Sequence, residues 1–224
     1  MSTIREELVD AAIVRAYGPI DYNIYDNFHK QYEFRQQTVL ADESLTKDEK
    51  NEVIKRLNKE YDRYKVLRNE GTKRICENCN QECLATTFCE LCVRSYLKAN
   101  FPNWTSGNDN IDNLIQTCQM KTLKPDGIVE WIPYDNLVNI KYLTEGGCSK
   151  IYTADWIDGC YDEWDSKKQH LTRKFESSAQ LVVLKRLENV ENANQSWLDE
   201  VCSLIINLIK QLLFKFINCN IFIG

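Results

Sequence analysis

Histidine is nearly absent from this chain: His29 and His170 are the two among 224 residues. Two separated imidazoles cannot build a histidine-rich metal site and leave little scope for histidine-based catalysis. A positive surplus is lacking too, since 28 Lys and Arg face 33 Asp and Glu for a net charge of -5. Binding a phosphate backbone rests on cationic neutralisation, so nucleic acid is not an expected partner. No apolar run opens the chain; Met1–Glu7 already carries two acids, and no secretory signal is expected. No internal repeat is present. Val201–Gly224 has the length to span a bilayer, but Lys210, Lys215 and several Asn interrupt it. A lysine near the centre of a membrane helix costs about 2.5–3.5 kcal/mol, so no membrane span is expected.

What is present suits a soluble globular protein: 43% hydrophobic and 27% charged residues, enough for one ordinary domain or two small ones. Ten cysteines without a signal point to a reducing compartment, the cytoplasm or nucleus, where thiols bind metal or pack. Residues 1–43 form an N-terminal segment with a short helix near 4–16, a break at Gly18-Pro19, and partial helix over 23–38. Thr46-Lys-Asp-Glu49 is a capping box. It opens a helix over roughly 46–69 whose stripe runs Val53, Leu57, Tyr61, Tyr64 and Leu67, with a charged opposite face and Gly71 as the C-cap. The stripe must dock, on the adjacent cysteine module or on a protein partner. A second stripe, Ile111, Leu114, Ile115 and Cys118, follows a cap at Asn108 or Asp109. After the turn at Lys124–Gly127 the character changes to strands: 128–132, 137–143, 150–156 and 180–187.

Five cysteines fall between residues 76 and 92. Cys76-Glu-Asn-Cys79 and Cys89-Glu-Leu-Cys92 are two CxxC pairs, nine residues apart. Each tight turn can aim two sulfurs at one ion, and two such turns supply the four soft ligands of a structural Zn2+. Cys83 lies between them as a fifth thiol. Incidental buried thiols remain the alternative. A redox pair fits less well, since no βαβ pattern surrounds either CxxC, and no neighbouring His/Glu combination suggests a catalytic zinc.

Leu143-Thr-Glu-Gly-Gly-Cys-Ser-Lys-Ile151 reads as strand, glycine turn, strand. Paired glycines allow backbone N–H groups to approach phosphate oxygens, although any Gly-Gly hairpin looks alike. Leu181-Val-Val-Leu-Lys185 adds a lysine inside an apolar strand, where a partner charge is expected. Glu200, on a helix expected after Asn194, would meet it. Glycine turn, strand lysine and helix glutamate, in that order, match the way protein kinases hold ATP phosphates.

From about residue 24 the chain resembles an expanded fungal family of protein kinase-like proteins, abundant in mycorrhizal fungi. The resemblance rests on the CxxC pairs, Trp104-Thr-Ser-Gly-Asn108, Glu130-Trp-Ile-Pro-Tyr134, Tyr142–Gly147, Ile151–Trp156, Leu184-Lys185 and Trp197-Leu-Asp-Glu200. It implies that Gly146 is the central glycine of the nucleotide loop, flanked by Leu143 and Gly147. Thr144 and Ser149 stand where further glycines are usual. Ile151 would cover the adenine, and Val183 would replace the usual alanine there. Lys185 would bind the α- and β-phosphates, with Glu200 as its partner. No His-Arg-Asp or Asp-Phe-Gly segment follows Glu200, so the resemblance implies a truncated member without phosphotransferase activity. Residues 203–224 depart from the family pattern, as a translated intron or misjoined exon would.

The expected fold is therefore α+β. A helical half with a zinc-knuckle module (44–120) precedes an incomplete antiparallel kinase N-lobe sheet with one helix (128–202). The expected function is a vestigial ATP cradle with structural Zn2+. A zinc-stabilised interaction module, docking a protein through 46–69 and the cysteines, is the alternative; a zinc-ribbon nucleic-acid binder is disfavoured by charge.

Overall fold

The computed structural model describes residues 4–146, 149–174 and 179–187. The chain is mixed α and β, and it divides into two compact units, Met1–Glu90 and Leu91–Gly224.

In the first unit, α1 (Glu6–Tyr17), α2 (Phe28–Ala41) and α3 (Lys47–Arg68) pack pairwise. Val9, Ala12, Ala16, Val39, Leu45, Val53 and Leu57 form their buried core. Local chemistry sets the helix ends. The Asn27 side chain accepts from the Lys30 N–H at 3.0 Å, which starts α2 at Phe28. The capping box of α3 is complete: the Glu49 N–H donates to Thr46 Oγ1 at 3.3 Å and the Thr46 N–H to Glu49 Oε2 at 2.8 Å. Glu49 is buried, and Arg5 supplies its other partner at 2.7 Å.

Two expectations for α3 need correction. Gly71 is not its cap; Asn69, left-handed at φ 54°, ends the helix, because a short amide side chain tolerates that conformation. Nor is the charged face all solvent-facing: Asp62, Arg63 and Lys65 are buried while Leu67 of the apolar stripe is exposed. A cysteine-bearing module follows, in which β1 (Arg74–Ile75) pairs antiparallel with β2 (Glu82–Cys83). Then α4 (Glu90–Asn100) begins at the seam between the units.

In the second unit, Asn108 caps α5 (Asp109–Met120) by accepting from the Asn110 N–H at 2.9 Å. Asp112 anchors the preceding loop, accepting from the Ser106 N–H at 2.8 Å and the Thr105 hydroxyl at 2.6 Å. Residues 128–132, expected as a strand, are extended but pair with no ladder among the described residues. Ile132 is buried in the sheet's core, and Glu130 pairs with Arg173 at 2.7 Å. Pro133 then removes the donor that a continuing strand would need.

The main sheet is antiparallel, β3 (Leu137–Gly146), β4 (Ser149–Trp156) and β7 (Gln180–Leu187), in the order β3-β4-β7. Between β4 and β7 the chain makes a separate hairpin, β5 (Tyr161–Asp165) with β6 (His170–Arg173). One face of the main sheet is packed, by Ile132, Leu137, Ala154, Trp156, Val182 and Leu184. The helix expected near Asn194–Glu200 and the tail 203–224 lie outside the described residues.

Candidate metal centre and open sheet face

The first CxxC occupies the turn joining β1 to β2. The Cys76 N–H donates to Gln81 O and the Asn80 N–H returns to Cys76 O, both at 2.9 Å, with Asn80 left-handed at φ 54°. The second CxxC meets the start of α4: Cys89 precedes the helix and Cys92 lies in its first turn. A helix N-terminus favours negative charge, which suits thiolates. The Sγ atoms of Cys76, Cys79, Cys89 and Cys92 all lie within 4.8 Å of one another.

The spacing can be tested against zinc. Tetrahedral Zn–S bonds of about 2.3 Å separate neighbouring sulfurs by about 3.8 Å. Cys79 Sγ and Cys89 Sγ are 3.7 Å apart. A disulfide would hold them at about 2.05 Å, and neither cysteine is in a disulfide. Four cysteines, three of them buried, could hold a metal ion here. Cys83 is buried beside them and hydrogen-bonded to Cys89; burial pushes its thiol pKa up, with Arg74 opposing.

Residues 84–88, between β2 and the second knuckle, lie in no ladder, yet their backbone is well partnered. Arg74 donates to Ala85 O at 2.8 Å and Phe88 O at 2.6 Å. Glu90 accepts from the Leu84 N–H at 2.7 Å. Asp62, from α3, accepts from the N–H groups of Thr86 (2.7 Å) and Thr87 (2.8 Å). It also accepts from their hydroxyls, at 2.8 and 2.6 Å. Burial raises the Asp62 carboxyl pKa, but the Thr87 and Thr86 bonds and Lys65 outweigh that and hold it below the usual range. Sequence reasoning missed Asp62, because nothing local distinguishes it from its charged neighbours on α3.

The expected nucleotide residues fall on the sheet. Antiparallel partners project to the same side. Ile151 is opposite both Thr144 and Lys185, and Val183 is opposite Thr153. Ile151, Val183 and Lys185 thus share one face, opposite to buried Val182 and Leu184. That face is open: Lys185 is exposed, Ile151 and Val183 are half-buried, and Leu181 is 67% exposed. Lys185, for which a partner charge was expected, thus stands on the exposed face of its strand. Leu143 is also exposed, next to a register irregularity between Tyr142 and Thr144. Gly146 pairs with Ser149 at the end of the β3–β4 ladder. Gly147 and Glu200 lie outside the described residues.

A polar pair that sequence reasoning missed ties residue 130 to the end of β6. Arg173 meets Glu130 at 2.7 Å, donates to Gly159 O at 2.7 Å, and lies 3.9 Å from the Tyr161 ring centroid. Burial pushes the Glu130 carboxyl up to about 7 against the pull of Arg173. Among the described residues no helix is long and apolar enough to cross a membrane. No family model matches this chain, and no curated protein or solved structure matches it either.

Proposed function

We propose that the antiparallel sheet is the ATP-phosphate-holding half of a protein kinase-like domain, preceded in the chain by a structural zinc module. One observation carries the nucleotide reading: the strand register puts Thr144, Ile151 and Lys185 in a single row on an open sheet face, near the Gly146–Ser149 end of the ladder. The Lys185 ammonium is exposed there, where a phosphate can meet it from solution. Ile151 and Val183 offer apolar contact for a base on the same side. The proposal concerns binding; phosphoryl transfer is not assigned. Its test is thermal: saturating ATP should raise the melting temperature of the full chain, and Lys185→Ala should abolish the shift. An equal shift in both proteins, or none in the parent, contradicts it.

A second reading, a zinc-clipped protein-interaction module without nucleotide binding, is favoured by the four clustered cysteines alone. The apolar stripe of α3 is then unavailable to a partner near Val53 and Leu57, which its own helices cover. Partner capture that needs zinc and ignores ATP would favour this reading.

A further inference from the structure

We infer that Asp62 is a positioning residue for metal capture, although it stands on α3, outside the cysteine module. This rests on reading the four cysteines as a metal site. A loop joining two knuckles must bring the second pair back onto the first. Unpaired backbone N–H groups at Thr86 and Thr87 would otherwise favour solvent-facing alternatives. Asp62 removes that freedom. Its carboxylate takes both N–H groups and both hydroxyls at 2.6–2.8 Å. Lys65 adds a fifth contact at 3.0 Å. Asp62 is 0% exposed and Lys65 2%. A carboxylate offers about four lone-pair sites, so this one is fully engaged. The loop it grips ends directly at Cys89. Holding that loop in the metal-ready shape lowers the entropy lost when the ion binds. By linkage, the bound ion holds the loop on Asp62 in return.

The test is Zn2+ affinity of the full chain, measured by competition with a chromophoric chelator, with helix content followed by circular dichroism. Asp62→Asn keeps the size but replaces an acceptor oxygen with a donor. It should weaken Zn2+ binding about 10–100-fold, as losses of outer supporting bonds do, while helix content is retained. Glu49→Gln is the control: an equally buried acid on the same helix that grips Arg5 and Thr46 instead of the loop. It should leave Zn2+ affinity unchanged. Should Asp62→Asn not fold, the Thr86→Val/Thr87→Val pair removes only the hydroxyl bonds from exposed side chains and should weaken binding in the same direction, less strongly. Unchanged affinity in the Asp62 or threonine variants, or an equal loss in the Glu49 control, overturns the role of Asp62. Failure of the parent chain to bind Zn2+ overturns the metal reading itself, and this inference with it.

Discussion

The cysteine module and the main sheet solve opposite problems. In the module, polar groups turn inward: carboxylates of Asp62 and Glu90 and the Arg74 guanidinium satisfy residues 84–88, which lie in no ladder. The four sulfurs converge on one point. In the sheet, one side is closed by Trp156, Val182 and Leu184 while the other leaves Leu181 and Lys185 exposed. An inward-turned polar cluster suits a structural ion, whose contribution is folding energy. An open face with a cation near the Gly146–Ser149 end of the ladder suits a ligand that arrives from solution. The difference separates holding a fold together from offering a surface.

The largest effect should come from the inward cluster. Cys76→Ser leaves three thiolates and should forfeit most of the apparent metal contribution, on the order of 10 kcal/mol for structural zinc. Mass spectrometry of the native protein should then show the loss of one zinc per chain, and hydrogen exchange should rise across 74–92. Retention of zinc and protection in that variant would break the contrast.

Next comes Glu130. Its folded-state pKa of about 7 lies above the ordinary 4.5, because burial disfavours the charged form. The folded chain therefore binds this proton more tightly than the unfolded one. The stability it contributes is full below about pH 4.5 and is lost as the pH rises through about 7. The loss is on the order of 3 kcal/mol. Glu130→Gln should flatten this part of a denaturation series between pH 5 and 8, whereas an unchanged slope in the variant would assign the titration elsewhere.

The two faces of β7 can be compared by paired truncations. Val182→Ala, on the packed face, should cost about 2 kcal/mol, and Leu181→Ala, on the open face, within about 0.5 kcal/mol. Equal costs in urea titrations would mean that the open face is covered in solution.

Local signals were the legible ones. The Thr46–Glu49 box and the paired CxxC spacing each depend on a few neighbouring residues and are read directly, and the α5 cap was narrowed to Asn108 or Asp109. The order of the β3, β4 and β7 segments was legible from alternating apolar runs. What sequence could not supply is long-range pairing. Asp62 reads as one more charge on a solvated helix until Thr86 and Thr87 are brought to it. Glu130 and Arg173 carry no mark of each other. Ile128–Ile132 is mostly apolar, as a strand is, and only the missing ladder partner distinguishes it. For Lys185 a partner charge was expected; its exposure follows from the register, which sets it on the face opposite to Val182 and Leu184.

The proposal for the sheet is tested most directly by calorimetric titration of ATP into the full chain and into Lys185→Ala. Lys185 is exposed, so the substitution should leave unfolding within about 0.5 kcal/mol of the parent while removing the heat of ATP binding. ATP binding of equal strength in the two proteins would contradict a phosphate cradle on this face.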